Sequence, residues 1–361
     1  MTVSNEQVLQ ALKAVQDPDL KRDIVSLGFI KHLTIEGGRI GFTIELTTPA
    51  CPVRDVLKEE ARAAVAALPG VTRVNVTMTS QVRPSPAAAG HRLIPTIKHV
   101  VPIASGKGGV GKSTVAANVA LALAQMGARV GLMDADVYGP SVPTMLGVTS
   151  SPAVDARNNR ITPVVHQQLK IISMGFFIKP DEAVVWRGPM LHKTMEQFLG
   201  GVDWGELDYL IIDLPPGTGD VQLSLCQMIP ITGAVVVSTP QDVALNVAQK
   251  AIEMFKKLKV PVLGIIENMS GYRCPHCGTP DEIFGSGGAR LAAERLQIPF
   301  LGAIPLATTI RAASDAGQAV VLAATESPES RAFRDAASQL AAQVSIRTMQ
   351  ERVAPEVKVT F

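Results

Sequence analysis

Two cysteines lie close together in the segment YRCPHCGTPDEIFGSGG, which covers residues 272–288. Cys274 and Cys277 are separated by two residues, and the chain has only two other cysteines, Cys51 and Cys226. In a reducing compartment, a C-x-x-C loop binds metal or shuttles electrons more often than it forms a structural disulfide. Two thiolates supply only half of a four-coordinate metal site. The spacing therefore raises the question of which groups supply the other half.

A glycine-rich run, GKGGVGKST at residues 106–114, is the second pattern with chemical meaning. It follows the apolar segment HVVPIAS and precedes the helix-forming VAANVALALAQMG, so it matches the phosphate loop G-x-x-x-x-G-K-[ST] in its strand–loop–helix context. Its glycines let backbone N–H groups turn towards phosphate oxygens, and the helix N-terminus adds partial positive charge. We expect Lys112 to contact the β- and γ-phosphates and the Ser113 hydroxyl to bind Mg²⁺. The predicted nucleotide-binding residues of the loop are Gly106, Gly108, Gly109, Val110, Gly111, Lys112, Ser113 and Thr114.

Carboxylates that could complete a magnesium site follow two other apolar segments. Asp213 ends the segment YLIID and begins the run DLPPGTGD, which is able to move when the γ-phosphate leaves. Asp134 and Asp136 follow RVGLM, and one of them is expected to orient the attacking water. At least one of this pair can instead cap a loop turn through its side chain. We predict Asp213 as a magnesium ligand beside Ser113, and Lys112, Asp136 and Asp213 as catalytic residues.

The elements that position these residues are predicted to form two units. Residues 1–82 combine two helical segments with three strand-like segments, which predicts a small α+β domain. Residues 83–97 are rich in Pro, Ala and Gly and are interpreted as a linker. From 98 to 349, six apolar strands alternate with helices, which predicts a doubly wound α/β domain with a mostly parallel sheet. Residues 350–361 are assigned to a C-terminal tail.

Composition and charge argue against several classes of function. Thirty-four Lys and Arg residues against 32 Asp and Glu leave a formal charge of +2, which gives no basic surface for nucleic acid. The first residues show neither a secretory nor an Arg-rich transit pattern, which favours a cytoplasmic protein. The uncharged run at 221–241 is nearly long enough to span a bilayer, yet Pro230 and Gly233 divide it into a helix-like and a strand-like half. We therefore predict no membrane segment.

An extra lysine in the phosphate loop, Lys107, has no obvious phosphate to reach within one chain, because Lys112 already fills that role. Here the sequence resembles the deviant Walker A ATPases, whose loop reads K-G-G-x-G-K-[ST] and which include the nitrogenase iron protein, MinD and the plasmid-partition ATPases. The resemblance implies a homodimer in which Lys107 crosses the interface and acts as a catalytic residue on the partner's nucleotide. In other NTPases, an arginine in a comparable role raises the rate by about 10³ to 10⁵.

A two-fold dimer would answer the cysteine question, since two C-x-x-C loops near the axis supply four thiolates, enough for one [4Fe–4S] cluster. In order along the chain, GKGGVGKST, DADVYGPS, DLPPGTGD, STPQDVAL, IENMS, CPHCG and GAIPLATTIRAASDAG resemble the Mrp/ApbC family of iron–sulfur cluster carrier ATPases. The resemblance implies a homodimer that holds a labile cluster on Cys274 and Cys277 of both chains and transfers it with ATP and Mg²⁺. The implied partners are iron–sulfur apoproteins, together with scaffold proteins. It also implies that Asn268 contacts adenine, although a strand-end turn residue fits that position nearly as well.

The local sequence suits a metal-binding hairpin, because Pro275 is expected to stiffen it and Gly278 to adopt a left-handed conformation. Three other uses of the cysteine pair remain open. A structural zinc ion shared across the dimer would use the same four sulfurs. A dithiol redox pair lacks its usual position at the start of a helix. A site within one chain that adds Cys51 and Cys226 satisfies the count, although Cys226 is typical of a small buried core residue.

The N-terminal unit contributes the remaining thiol. The segment LTTPACPVRDVL places Cys51 between two prolines at a strand-to-helix turn, where the helix N-terminus is expected to lower its pKa. With DPDL, IVSLGFI and LPGVTRVNV, this segment resembles the MIP18-type (DUF59) domain of iron–sulfur assembly factors. A flexible linker of about thirteen residues would reach roughly 20 Å. Cys51 is therefore a candidate accessory thiol for the cluster, with a buried structural thiol as the alternative.

The competing hypothesis from another class is a positioning ATPase, similar to MinD or the partition proteins, that binds membrane or DNA. MinD-type proteins end in a basic amphipathic helix, whereas this chain ends in VAPEVKVTF, in which Pro355 opposes a helix. Partition proteins need a basic surface stripe, and this chain is nearly neutral. Neither class explains the C-x-x-C pair. The sequence therefore predicts an ATP-hydrolysing iron–sulfur cluster carrier.

Overall fold

The computed structural model describes residues 3–88, 90–157, 159–178, 188–274 and 276–353. The chain divides into two compact units, Met1–Arg83 and Pro84–Phe361.

The first unit is a small α+β fold. Its first helix begins with a capping box, in which the Ser4 hydroxyl accepts from the Gln7 backbone and the Gln7 side chain accepts from the Ser4 backbone. Strand β4 lies between β3, which is antiparallel to it, and β5, which is parallel, and its alternating pattern buries one face. The elements are α1 (Asn5–Leu12), β1 (Gln16–Asp17), β2 (Arg22–Asp23), β3 (Ile30–Glu36), β4 (Arg39–Leu46), α2 (Arg54–Ala66) and β5 (Arg73–Ser80).

The second unit is built on a nine-stranded, mostly parallel sheet. The strands of this unit are β6 (Ile97–Ser105), β7 (Val130–Asp134), β8 (Ala153–Asp155), β9 (Arg160–Thr162), β10 (Val164–His166), β11 (Leu169–Ser173), β12 (Leu207–Asp213), β13 (Ala234–Ser238), β14 (Val262–Arg273), β15 (Pro280–Asp281) and β16 (Phe300–Leu306). The sheet order is β10-β11-β7-β12-β6-β13-β14, and both β15 and β16 pair with β14. Only the β10–β11 and β14–β15 pairs are antiparallel among the described strands of this sheet. Strands β8 and β9 form a separate hairpin.

Helices cover this sheet on both faces. They are α3 (Lys112–Gln125), α4 (Val142–Met145), α5 (Gly188–Gly200), α6 (Asp220–Met228), α7 (Asp242–Lys257), α8 (Gly288–Leu296), α9 (Thr308–Asp315), α10 (Val320–Ala323) and α11 (Pro328–Val353). Every residue of β7, β12 and β13 is buried, so side chains on both faces of the sheet are covered. The doubly wound α/β prediction and all six apolar strands are confirmed.

The parallel registers bring the ends of three strands together. Asp213, at the end of β12, is level with Asp134 of β7 on one side and with Ile103 of β6 on the other. Ligands of open α/β sheets bind beyond the carboxyl ends of the strands. The fold therefore gathers the predicted phosphate loop and the predicted carboxylates at one edge of the sheet.

The segment interpreted as a linker is packed against the second unit. The Ser85 backbone N–H donates to the Lys98 carbonyl at 3.2 Å, and the Ser85 hydroxyl lies 3.4 Å from the Glu351 carboxylate. Ala88 is buried, and Ile94 belongs to the hydrophobic core of this unit. Because its apolar side chains are buried, this segment is not a flexible random coil. The reach of roughly 20 Å that was expected for a flexible linker does not apply to it. The domain boundaries at 82 and 98 remain predictions.

The C-terminal part differs from the predicted boundary. Helix α11 runs to Val353, beyond the residue at which the second domain was predicted to end, and residues 354–361, with Pro355, lie outside the described residues. The uncharged run at 221–241 forms most of α6 followed by β13, as predicted. Within the described ranges, no helix has the length and apolar character needed to cross a bilayer.

Candidate functional site

The phosphate loop joins β6 to α3, and glycine is required at several of its positions. Gly109 and Gly111 have φ values of +79° and +78°, which L side chains rarely adopt. A Cβ on Gly106 would lie 2.4 Å from the carbonyl carbon of Val247, and one on Gly111 would lie 2.2 Å from Asn268 Nδ2. The loop is therefore pressed against α7 and β14, and the first N–H groups of α3 lie directly after it.

Lys112 lies at the centre of a buried charge cluster. Its ammonium is 2.6 Å from Asp213 Oδ1 and 3.7 Å from Asp136 Oδ2, and it donates to the Ser113 hydroxyl at 3.1 Å. The Lys112 side chain is 6% exposed and that of Asp213 is 0% exposed. The structure thus brings together four residues that the sequence assigned to phosphate and magnesium chemistry, although they come from three separate segments.

Asp213 keeps one carboxylate oxygen without a partner. Its Oδ2 is buried and has no hydrogen bond within the described part of the chain. Burial raises the pKa of Asp213, and the neighbouring Lys112 ammonium opposes that rise. A buried acceptor without a donor is costly, and magnesium prefers oxygen ligands. Asp213, with the Ser113 hydroxyl beside the same lysine, therefore fits the predicted magnesium site.

The two aspartates after β7 have different environments. Asp134 is fully buried and accepts hydrogen bonds from the Asp136 N–H at 3.1 Å, the Ser173 hydroxyl at 2.9 Å and the Val142 N–H at 3.3 Å. Burial, followed by repulsion from Asp213, raises the pKa of Asp134 to about 7. Asp134 therefore has the loop-capping role, which leaves Asp136 as the carboxylate available at the charge cluster.

Asp136 also borders an open cleft. The cleft has a volume of about 690 Å³ and is lined by Asp136, Tyr138, Gly139, Pro215, Pro216, Gly219, Val221 and Gln222. The Asp136 side chain is only 14% exposed. Its carboxylate therefore lies where an attacking water could approach the phosphate loop from one side.

A second cavity adjoins the C-terminal part of the phosphate loop, at Gly111 and Thr114. Its volume is about 640 Å³, which is within the usual range for small-molecule sites. It is lined by Gly111, Thr114, Pro140, Ser141, Thr144, Met145, Asn268, Met269, Pro305, Leu306, Ala307, Ile310, Arg311, Ser314 and Asp315. The Asn268 amide, 6% exposed, donates to the Val110 carbonyl at 2.8 Å. Asn268 thus braces the loop from the cavity wall, and its contact with adenine stays a prediction.

Lys107 occupies the second position of the loop. Its backbone carbonyl accepts a hydrogen bond from the Ser105 hydroxyl at 3.0 Å, and the residue is partly exposed. Its action on a partner's nucleotide stays a prediction.

Cys274 and Cys277 lie in the hairpin that joins β14 to β15. The Cys274 N–H donates to the Thr279 carbonyl at 3.0 Å, and the Gly278 N–H donates to the Cys274 carbonyl at 2.9 Å. Gly278 has a φ of +72°, which confirms the predicted left-handed conformation. Pro275, which was expected to stiffen the hairpin, lies outside the described residues. The backbone of the hairpin is therefore closed by hydrogen bonds on both sides of the cysteine pair.

The thiols of this hairpin are accessible. Cys277 is exposed and Cys274 is partly buried. The Thr279 hydroxyl, 3.2 Å from the Cys277 sulfur, lowers the pKa of Cys277, and Cys274 contributes to the same shift. A lowered pKa favours the thiolate, which is the form that binds metal. Among the residues that the structure describes, no three His, Cys, Asp or Glu side chains are grouped so that they could hold a metal ion. The alternative of a site within one chain that adds Cys51 and Cys226 stays a prediction.

The other two thiols are not activated. Burial raises the pKa of Cys51 to about 11, and the backbone N–H of Val53 opposes this only in part. The carboxylates of Asp17 and Asp19 raise it further, so the prediction of a lowered Cys51 pKa is wrong. Burial also raises the pKa of Cys226 to about 11, and Cys226 packs against the core of the second unit, as its apolar context suggested. The accessory role of Cys51 stays a prediction.

Sequence reasoning missed two buried polar residues beside the site. Gln222 is 1% exposed, and its amide nitrogen donates to the carbonyls of Pro215 at 2.8 Å and Gly217 at 3.1 Å. It therefore holds the loop that follows Asp213. Glu267, in the middle of β14, is fully buried and accepts backbone N–H groups. The available signals were a glutamine in the first turn of an apolar helix and a charge within the apolar run VLGIIEN.

The strand–loop–helix arrangement and its buried lysine–carboxylate cluster define a P-loop NTPase. The family described as NUBPL iron-transfer P-loop NTPase matches residues 96–341, and the family described as iron-sulfur cluster assembly protein matches residues 5–77. The chain belongs to the iron-transfer P-loop NTPases, with an iron–sulfur assembly domain at its front.

Named relatives agree with this assignment. The iron-sulfur cluster carrier protein of Deinococcus radiodurans is 49% identical and covers 96% of this chain and 97% of its own length. The protein of the same name from Synechocystis sp. is 46% identical and covers 96% and 99%. A nucleotide-binding protein of Archaeoglobus fulgidus, solved in complex with ADP, has a TM-score of 0.56 at 41% identity and covers 63% of this chain and 89% of that chain. These relatives favour iron–sulfur cluster carriage over the positioning hypothesis.

Proposed function

We propose that this carrier hydrolyses ATP and that two copies of the chain hold one [4Fe–4S] cluster between their cysteine hairpins. The observation that carries the proposal is the exposed two-thiol hairpin on a P-loop NTPase. One chain offers Cys274 and Cys277, the pKa of Cys277 is lowered, and the described residues add no third ligand. A second copy related by a two-fold axis completes the set of four sulfurs.

The nucleotide is bound by the groups of the phosphate loop. Loop N–H groups and the α3 N-terminus receive the phosphates, and Lys112 neutralises part of their charge. Ser113 and Asp213 would hold Mg²⁺, which would supply positive charge to stabilise the transferred phosphoryl group. Asp136 orients the attacking water from the 690 Å³ cleft. The Archaeoglobus relative was solved with ADP, and the 640 Å³ cavity beside Asn268 is the candidate nucleoside site in this chain because Gly111 and Thr114 of the phosphate loop line it.

Hydrolysis serves cluster loading or release, because the hairpin that holds the cluster belongs to the same unit as the phosphate loop. Recipient apoproteins and donor scaffold proteins reach the cluster at the exposed hairpin. A cytoplasmic location, where thiols stay reduced, belongs to the same proposal.

The test is the metal content of the purified full-length chain. Iron, sulfide and zinc are measured per chain under anaerobic conditions, together with native mass, for the wild type, Cys277→Ser and Cys226→Ala. We expect four iron and four sulfide per dimer for a [4Fe–4S] cluster. Cys277→Ser should lose the cluster and keep its fold and nucleotide affinity. Cys226→Ala removes a thiol of the core and should keep the cluster.

Three outcomes would contradict the proposal. Zinc without sulfide would replace the cluster by a structural metal ion that uses the same thiols. A chain that stays monomeric with ATP and iron present would leave the site half complete. Retention of iron and sulfide in Cys277→Ser would place the cluster elsewhere.

A further inference from the structure

Strand β14 connects the two chemical centres of the second unit. Asn268, in the middle of the strand, contacts the phosphate loop, and the strand continues through Arg273 directly into Cys274. Five residues therefore separate a side chain that braces the loop from the first cysteine.

Two consecutive residues of β14 lie beside the phosphate loop. Asn268 donates to the Val110 carbonyl at 2.8 Å, and its amide occupies the space that a Cβ on Gly111 would need. The Met269 Cε would lie 3.7 Å from that same Cβ position. Both side chains also line the 640 Å³ cavity. A ligand that moves Val110 or Gly111 therefore acts directly on β14.

The strand is irregular between these contacts and the hairpin. Asn268 pairs with Ile304 of β16 and Tyr272 pairs with Leu306, so four steps along β14 match two steps along β16. Within this bulge, Met269 has a φ of +58° and Gly271 has a φ of +62°. A left-handed methionine is uncommon, because its Cβ approaches the following carbonyl oxygen. Bulges redirect a strand, and a strained bulge is suited to switching between two arrangements.

Glu267 fixes both sides of this bulge. Its buried carboxylate accepts from the Ser270 hydroxyl at 2.5 Å and, across the chain, from the Gly287 N–H at 2.8 Å and the Ala289 N–H at 2.6 Å. The Gly271 N–H donates to the Gly285 carbonyl at 3.0 Å. The bulge is therefore tied to the start of α8 on one side and to the phosphate loop on the other.

We propose that residues 267–271 are the positioning element through which nucleotide in the phosphate loop changes the geometry of Cys274 and Cys277. The inference rests on the proposed function, since it takes the loop as the nucleotide site and the hairpin as the cluster site. A shift of the loop moves Asn268 and Met269, and the bulge turns that shift into a reorientation of the hairpin. By linkage, if bound nucleotide changes the affinity of the cysteines for the cluster by a given factor, the bound cluster must change the affinity for nucleotide by the same factor.

The test measures how fast the hairpin thiols of the metal-free, full-length chain react. Iodoacetamide labelling of the peptide with Cys274 and Cys277 is timed without nucleotide, with ADP and with a non-hydrolysable ATP analogue, and nucleotide affinity is titrated separately. In the wild type, nucleotide should change the labelling rate by about fivefold or more, the lower end of typical allosteric couplings. Cys51 and Cys226 are on other peptides and do not interfere.

Two variants act on the bulge and one matched variant does not. Gly271→Ala places a side chain at a left-handed φ with no atom within 4 Å, so it strains the bulge without a clash. Ser270→Ala removes the hydroxyl that binds Glu267. Gly90→Ala makes the same change at a φ of +72°, again with open surroundings, but outside β14. We expect the nucleotide-dependent ratio of labelling rates to fall towards one in the bulge variants and to keep its wild-type value in Gly90→Ala.

Each result decides the matter. The inference is supported if the ratio of labelling rates with and without nucleotide falls in either folded bulge variant while nucleotide still binds. If Gly271→Ala does not fold, Ser270→Ala alone provides the test. Wild-type ratios in both variants overturn it. Nucleotide binding to the wild type without any change in labelling overturns this inference and leaves the proposed function standing. Failure of the wild type to bind nucleotide overturns the proposed function as well.

Discussion

The contact between Lys112 and Asp213 joins two charges that water hardly reaches. Moving either charge out of water costs several kcal/mol, and the 2.6 Å contact offsets that cost only while both partners are present. Burial raises the pKa of Asp213, and the Lys112 ammonium is the principal influence that opposes it. The residue that would bind phosphate is therefore also the residue that opposes the rise in the pKa of Asp213.

Replacing this lysine should therefore reduce stability in a pH-dependent way. Lys112→Met leaves a buried carboxylate without its cation, and we expect a loss of about 3 kcal/mol in the free energy of unfolding. Without the cation, the pKa of Asp213 rises further above its unfolded value. A carboxyl whose pKa is raised on folding lowers stability as pH increases, so the loss should be greater at about pH 7 than at about pH 5. Urea unfolding at the two pH values measures both effects.

Two further variants isolate the cause of that loss. The double variant Lys112→Met with Asp213→Asn removes both charges and should recover most of the stability, while nucleotide binding stays lost. Lys98→Met serves as the matched control, because Asp208 keeps its contact with Arg129 after the lysine is removed. We expect that control to cost about 1 kcal/mol or less. An equal loss in both lysine variants would contradict the argument.

At the scale of elements, the loop between β12 and α6 is held by the buried Gln222 side chain together with backbone hydrogen bonds, such as that from the Gly217 N–H to the Ser105 carbonyl at 2.9 Å. Gln222 donates to two loop carbonyls and is buried, so Gln222→Leu keeps the volume but leaves both acceptors without a donor. We expect a cost of about 1 to 3 kcal/mol. Because the lost contacts are local, the backbone amides of Leu214, Gly217, Thr218 and Gly219 should exchange with solvent faster, whereas Pro215 and Pro216 have no N–H. Hydrolysis should slow, since the loop carries Asp213 at its start.

Hydrogen exchange and single-turnover hydrolysis check this prediction. Gln249→Leu, the same change at a half-buried position of α7, is the control and should leave the exchange of residues 214–219 unaltered. Unchanged exchange in Gln222→Leu would show that the loop is held by other contacts.

The elements also show what the sequence could and could not predict. The six apolar strands and the phosphate loop were predictable, because a continuous apolar run and a fixed glycine–lysine spacing are local signals. The three-residue strands β8 to β10 were missed, since segments that short have no periodicity. The predicted direction of the Cys51 pKa shift was wrong, because the prediction used only the helix N-terminus, which is a local feature. Burial and the Asp17 carboxylate, which raise this pKa, come from the tertiary fold. Glu267 was missed because its burial and its backbone partners, Gly287 and Ala289, also come from the tertiary fold.

At the scale of the whole molecule, each chain carries half of the proposed cluster site and a lysine, Lys107, that is predicted to act at the partner's nucleotide site. The hairpin supplies two sulfurs, and the described residues add no third ligand. Lys107, by contrast, is an additional cation in a loop whose own lysine is already in place. A two-fold dimer would bring the two cysteine hairpins together, and it would let Lys107 of each chain reach the nucleotide of the other. The shared cluster and the action of Lys107 on the partner's nucleotide therefore depend on the same symmetric arrangement of two chains.

Mixing two inactive chains tests whether Lys107 acts on the partner's nucleotide. Lys107→Ala and Lys112→Ala should each be inactive alone as homodimers. After subunit exchange in an equal mixture, half of the dimers contain one of each chain, and each of these has one site with its own Lys112 and the partner's Lys107. The mixture should then regain about a quarter of the wild-type rate of ATP hydrolysis. If Lys107 served its own chain, every site would lack one lysine and the mixture would stay at background, and native mass spectrometry of the mixed sample establishes that exchange took place.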